Sequence, residues 1–129
     1  MGHAIGYLPG KALWAHTISF GPKGVLVAVS SNNNINIALW DIMKLQAITE
    51  LPGHTKGVQV LAFNPDGTIL ASGGVDAEIR LWNTGTGKEL ARLIDGTKGA
   101  DSVFALAFSP DGKTLAAGYT GRIIVWMAR

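Results

Sequence analysis

The chain reads as three copies of one unit of about 43 residues. Phe20, Phe63 and Phe108 stand 43 and 45 residues apart, and Trp40, Trp82 and Trp126 stand 42 and 44 apart. Repeats of this length build stacked or circular architectures, in which each unit buries its apolar face against the next. The phase of the repeat is visible as well. His3-Ala-Ile-Gly-Tyr-Leu-Pro-Gly10 lies 43 residues ahead of Gln46-Ala-Ile-Thr-Glu-Leu-Pro-Gly53 and shares five of its eight residues. The chain is therefore expected to open on the tail of one repeat and to finish, at Arg129, where another copy of that tail would start.

Composition narrows the classes. A length of 129 residues suits one domain, and 47% hydrophobic residues can bury a core. Seventeen glycines set between short apolar runs point to many tight turns. The eleven basic and nine acidic residues are scattered along the chain, so there is no phosphate-binding patch and nucleic acid is not an expected partner. With no cysteine, disulfide and thiolate chemistry are excluded. No apolar run approaches the length of a membrane span, and the first ten residues lack the basic start and long apolar stretch of a signal peptide. A soluble cytoplasmic protein with no membrane partner is expected.

Within each unit the pattern is that of strands. Val58-Gln-Val-Leu-Ala-Phe63 ends in Asn64-Pro-Asp-Gly67, and Val103-Phe-Ala-Leu-Ala-Phe108 ends in Ser109-Pro-Asp-Gly112. Proline presets φ at the first corner and glycine accepts the positive φ that closes the turn, so both are hairpins. Gly21-Pro-Lys-Gly24 is the first unit's version, with Lys23 in place of the aspartate. A strand over 68–72, a turn around Asp76, the alternating run Glu78-Ile-Arg-Leu-Trp82 and a glycine-rich turn into Glu89-Leu-Ala-Arg-Leu93 follow. Four antiparallel strands per unit and essentially no helix are expected.

These residues carry a family resemblance. Gly53-His54, the Pro-Asp-Gly hairpins, Leu70-Ala-Ser-Gly-Gly-Val-Asp76, Ile79-Arg-Leu-Trp-Asn83 and the dipeptide Trp40-Asp41 together resemble the WD40 repeat. The resemblance covers nearly the whole chain. It implies an all-β fold, the WD40 β-propeller, in which four-stranded blades stand around an axis and pack face to face. Residues 11–53 would form the first blade, 54–96 the second and 97–129 the first three strands of a third, with 3–10 the fourth strand of a shared blade.

The resemblance also implies a structural tetrad of His54, Ser72, Asp76 and Trp82. A buried aspartate at a turn needs donors, and an imidazole, a hydroxyl and backbone amides satisfy it beneath an indole. The other units depart from this pattern. Lys11 and Val29 replace the histidine and serine in the first, where Asn32, Asn33 or Asn34 could stand for the aspartate. Thr97, Ala117 and Gly121 occupy or adjoin the three positions in the last. One full tetrad per chain is expected.

Histidine, serine and aspartate are also hydrolase residues, but nucleophilic catalysis needs an exposed hydroxyl, an oxyanion hole and a concave site. A tetrad serine lies inside its blade, so the group is assigned to stability and no enzyme activity is expected. Thr84-Gly-Thr-Gly-Lys88 lacks the full P-loop spacing and reads as a turn. His3, His16 and His54 are dispersed without acidic or thiol partners at ligand spacing, so neither metal nor cofactor is expected. Asn32-Asn-Asn-Ile-Asn36 reads as a polar turn, with an interaction loop as the alternative.

Three blades do not close a ring. A free three-bladed arc would leave an apolar face at each end and unfinished strand edges, which proteins normally hide. The expected remedy is a cyclic homo-oligomer with head-to-tail contacts. In it His3, Ala4, Ile5, Tyr7 and Leu8 of one chain pair as a fourth strand with Ile123, Ile124, Val125 and Trp126 of the next. Six blades from two chains need about 60° each and nine from three chains about 40°, against about 51° in a seven-bladed ring. The dimer is preferred and the trimer is the alternative.

The expected function is that of a noncatalytic self-assembling scaffold. WD40 propellers are similar in binding peptides or proteins on the face formed by the loops entering each blade and the turns between second and third strands. Here that face would carry Trp14, Thr55, Val75, Ser102 and Thr120, with Trp14 suited to an aromatic anchor or to a wedge between blades. The alternative is a fragment or an engineered chain whose property is symmetric self-assembly, with no natural ligand.

Overall fold

Hairpin turns set the local geometry. Gly67 and Gly112 take φ of 79° and 73°, a corner that glycine adopts without strain. Their N–H groups donate to Asn64 O at 3.0 Å and Ser109 O at 2.8 Å. The turn aspartates are tied down as well. Asp66 Oδ1 accepts from the Thr68 amide and hydroxyl, and Asp111 Oδ1 accepts from the Lys113 amide and the Ser109 hydroxyl. These bonds hold both carboxyls below their ordinary range. Gly21-Pro-Lys-Gly24 folds alike, with Gly24 N–H donating to Gly21 O at 3.0 Å.

The computed structural model describes residues 2–4, 6–8, 15–31, 34–94 and 102–127. Among them there are eleven strands and no helix: β1 Ala15–Phe20, β2 Leu26–Ser31, β3 Asn34–Asp41, β4 Gln46–Leu51, β5 Val58–Phe63, β6 Ile69–Gly74, β7 Ile79–Asn83, β8 Glu89–Leu93, β9 Val103–Phe108, β10 Thr114–Tyr119 and β11 Arg122–Met127. The sixth strand starts one residue later than expected from sequence, because Asp66 keeps Thr68 in the turn.

All pairings are antiparallel between chain neighbours, giving sheets in the order β1-β2-β3-β4, β5-β6-β7-β8 and β9-β10-β11. The first strands of successive sheets lie side by side, β1 by β5 and β5 by β9. That is the arrangement of blades around an axis, with each first strand innermost.

The core lies between sheets. Ala28, Ile37, Leu39 and Leu51 of the first sheet meet Val58, Leu61, Leu70 and Trp82 of the second. Ala71 and Ile79 of the second meet Val103, Leu115, Ala117 and Tyr119 of the third. The second strand of the middle sheet is thus buried on both faces, which is why Ile69-Leu-Ala-Ser-Gly-Gly74 is apolar or small throughout. A third cluster, Val27, Val29 and Trp40, faces away from the second sheet, and Leu8 packs against it. Residues 2–4 and 6–8 form no strand within the chain. Ile5, Lys11, Trp14, Asn32, Asn33 and Thr97 lie outside the described residues.

Candidate functional site

Sheet geometry brings four distant positions together in the second blade. β6 and β7 pair Ser72 with Arg80 and Leu70 with Trp82, so Ser72 and Trp82 share a face two residues out of step. The loop between β4 and β5 carries His54 over that face, and the tight turn after β6 carries Asp76. His54 Nε2 lies 2.7 Å from Ser72 Oγ and its Nδ1 3.0 Å from Asp76 Oδ2. Trp82 Nε1–H donates to Ser72 Oγ at 2.8 Å. The Thr55 and Glu78 amides donate to the two Asp76 oxygens, both at 3.3 Å. His54, Ser72, Asp76 and Trp82 are thus joined in one hydrogen-bonded chain.

Its protons order themselves. The indole can only donate, so Ser72 accepts from Trp82 and gives its own proton to His54 Nε2, leaving Nδ1–H for Asp76. Burial raises the Asp76 carboxyl, but the hydrogen bond from His54 and those from the Glu78 and Thr55 amides act against it. The net shift is downward. His54, Ser72 and Trp82 are all buried, and the indole covers the hydroxyl that a hydrolase would have to expose. The group has the order of a catalytic triad and the accessibility of a core.

The third blade lacks this order. Ala117 stands where Ser72 does, and the buried Nε1 of Trp126 has no hydrogen-bond partner among the described residues. In the first blade Val29 occupies the serine position and packs on Trp40 directly.

Of the candidate binding face, Thr55 and Thr120 are exposed, Val75 is largely so and Ser102 is half-buried. All sit at the end of the sheets that carries the β4–β5 loop and the β6–β7 and β10–β11 turns. The Val75 amide donates to Gly57 O at 3.1 Å, tying the turn to the loop. Trp14 is outside the described residues.

Two features of this region escaped the sequence reading. Each innermost strand carries a bulge near its start, so that His16, Gln59 and Phe104 have no partner in the ladder. They lie at this same end, with His16 and Phe104 exposed. Their spacing of 43 and 45 residues, the same as that of Phe20, Phe63 and Phe108, was the available signal. The other is Arg80, buried beside Gly53 and held by Glu78 at 2.9 Å and Glu89 at 3.1 Å. Glu89 also holds Arg92 at 3.1 Å, which raises the Arg92 guanidinium above its ordinary range. Arg80 replaces the Ala38 and Ile124 of the other blades, an exception within the repeat that marked it. Among the described residues no group of acidic, histidine or cysteine side chains could hold a metal.

The sequence pattern of the family "WD domain, G-beta repeat" matches residues 45–83 and 88–127. Each match begins on a fourth strand and ends after a third, so the sequence unit is offset by one strand from the sheets. Among relatives, the small ribosomal subunit protein RACK1 of Caenorhabditis elegans is 32% identical over 114 residues, 88% of this chain and 34% of that protein. The periodic tryptophan protein 2 homolog of Schizosaccharomyces pombe is 35% identical over 66 residues, 51% of this chain and 8% of that protein. Protein groucho of Drosophila melanogaster is 29% identical over 90 residues, 64% of this chain and 12% of that protein. The chain thus spans about a third or less of the length of these relatives. With the repeat pattern, the three blade-like sheets and the His54–Ser72–Asp76–Trp82 network, this chain belongs to the WD40 repeat family.

Proposed function

We propose that this chain is a noncatalytic protein-interaction scaffold that binds a peptide or protein segment at the loop end of its blades. The observation that carries the reading is the contrast within the second blade. His54, Ser72 and Asp76 are spent on a buried network that fixes the loop, while Thr55 and Val75 beside them stay exposed. A rigid platform with adaptable, exposed positions is what peptide recognition needs. Thr55, Val75, Ser102 and Thr120 form the proposed face, joined by Trp14 and by His16 and Phe104 of the bulges. The test is selection from a displayed peptide library, followed by Phe104→Ala and Val75→Asp. Selected peptides that lose at least tenfold in affinity to both variants support the site; peptides indifferent to both place binding elsewhere.

A second reading, self-assembly, is supported by the open sheet faces at both ends of the arc. Ile18 and Phe20 of the first sheet are 58% and 57% exposed, and Ile123 and Val125 of the third are 76% and 60% exposed. We propose that a cyclic homo-oligomer covers them, with residues 3–8 of one chain adding a fourth strand beside Arg122–Met127 of the next. A six-bladed dimer is preferred over a nine-bladed trimer. If assembly is itself the property of the chain, selection on the loop face returns no ligand while the oligomer persists. A cytoplasmic setting completes the proposal; no described helix is long and apolar enough to cross a membrane.

A further inference from the structure

Two contacts recur at both junctions inside the chain. At the hairpin end, a Cβ on Gly67 would stand 3.1 Å from the Pro22 ring, and one on Gly112 would stand 3.3 Å from the Pro65 ring. Each blade's turn proline therefore sits under the turn glycine of the next. Near the loop end, Ser30 Oγ–H donates to Val58 O at 3.2 Å, and a Cβ on Gly73 would stand 2.8 Å from Val103. A small residue on each second strand therefore receives the first residue of the next blade's inner strand.

Both series stop at the ends of the arc. Gly24, the first turn glycine, meets nothing within 4 Å among the described residues, and Pro110 is the proline left over. Gly118 follows Ser30 and Gly73, and the described atoms nearest its missing Cβ belong to Ala105 of its own sheet. Ala15 precedes Val58 and Val103 in the series; it is exposed where they are buried.

We infer that the open face of the third sheet docks on the outer face of the first sheet of a second copy of this chain, along its exposed innermost strand, with Gly118 on Ala15 and Pro110 under Gly24. The inference rests on the self-assembly reading and fixes its register. The shapes suit each other as the internal faces do. Ala105, Ala107, Ala116 and Gly118 leave a shallow floor like the Ala62, Ala71 and Gly73 of the second sheet. Ile18 and Phe20 present the bulk that Leu61 and Phe63 supply inside the chain, beside the buried Trp40. The centres of both faces are uncharged. Leu8 supports the same register. Leu51 and Leu93, at the ends of β4 and β8, each pack into the cluster shared with the following sheet. Leu8, 43 residues before Leu51, already packs on Val27, Val29 and Trp40 of the first sheet, where the end of a preceding blade's fourth strand belongs.

The test is disulfide trapping in the whole chain. Ala15→Cys with Gly118→Cys, oxidised, is expected to run in non-reducing gels at two or three chain masses, with little monomer left. Ala15→Cys with Ala116→Cys moves one thiol about 7 Å along the same face and is expected to link at least tenfold less. Ser30→Cys with Val58→Cys is the internal control and links within the chain. An oligomer by light scattering that fails to link 15 to 118 while 30 links to 58 overturns the register and leaves self-assembly standing. Equal linking at 116 and 118 overturns it too. A monomer at every concentration removes the self-assembly reading along with it. Because a Cβ at position 118 would stand 3.3 Å from Ala105 Cβ, Ile123→Asp provides a second arm. Its counterparts Ile37 and Ile79 are fully buried, so this variant is expected to scatter as the 13.6 kDa chain; retention of the parent oligomer overturns the docking.

Discussion

His54 Nδ1 lies 3.0 Å from Asp76 Oδ2 across a sequence separation of 22 residues, and that bond joins the loop before the second blade to the turn inside it. Asp76 accepts at the same time from the backbone amides of Thr55 and Glu78. One carboxylate therefore sets both the loop and the turn from which the proposed binding face is built. Whatever weakens this carboxylate therefore loosens both the loop and the turn.

Acid is the simplest probe of the pair. The Asp76 carboxyl is held below its ordinary value in the folded chain, so its contribution is fully present above the unfolded carboxyl pKa of about 3.9. It is lost as pH falls through the lower folded value. Chemical denaturation of the parent and of Asp76→Asn should therefore differ most above about pH 4 and converge below it. A difference between the two that does not shrink in acid would show that Asp76 acts without its charge.

Removing the carboxylate altogether should destabilise the chain. Asp76→Ala strips His54 Nδ1–H of its acceptor in a buried site, at a cost of about 1–3 kcal/mol. Thermal or denaturant unfolding measures it. A neutral result would contradict the network as drawn.

Much of this was legible in advance, for a physical reason. Hairpin turns and strands write themselves locally, through proline and glycine at fixed corners and apolar alternation, so β5, β8 and β9 fall where the sequence places them. The expectation for His54, Ser72, Asp76 and Trp82 came from the resemblance to the WD40 repeat, not from spacing alone. Arg80 was not, because a buried charge is decided by partners: Glu89 reaches it only once β7 and β8 pair. His16, Gln59 and Phe104 were hidden for a similar cause, since a bulge shows itself only when two strands are set in register.

The third blade offers a gain rather than a loss. Trp126 Nε1 is buried without a partner among the described residues, and Ala117 occupies the position from which Ser72 accepts the indole N–H of Trp82. Ala117→Ser should supply that acceptor and stabilise the chain by about 1 kcal/mol. The converse change, Ser72→Ala, should cost about 1–3 kcal/mol by leaving Trp82 and His54 without their shared hydroxyl. Unfolding of both variants against the parent is the measurement, and opposite signs are the expected outcome.

Arg80 separates packing from charge. Its side chain is almost wholly buried, whereas Glu78 and Glu89 keep about a quarter of their surface in water. Losing the cation therefore leaves no deeply buried anion behind, the usual source of a large penalty. Arg80→Met, which retains the stem, should fall within about 1 kcal/mol of the parent, while Arg80→Ala should lose about 2 kcal/mol or more through the cavity beside Gly53 and Trp82. Equal losses in the two would return the weight to the ion pairs.

The assembly has its own handle in residues 1–10. Leu8 lies on Val27, Val29 and Trp40, and the proposed clasp places the rest of this segment along the free edge of β11 in a second copy. Deleting residues 1–10 should therefore remove an edge strand and uncover an apolar face in one step. Light scattering is expected to show two or three times the 13.6 kDa mass for the parent and monomer, mixed species or aggregate for the truncated chain. Leu8→Asp makes the distinction sharper, because it keeps the strand's backbone and abolishes only the seat on Trp40. An oligomer that survives Leu8→Asp but not the deletion assigns the latch to strand pairing. Loss in both assigns it to the packed leucine, and survival in both, with unchanged melting temperature, would end the clasp.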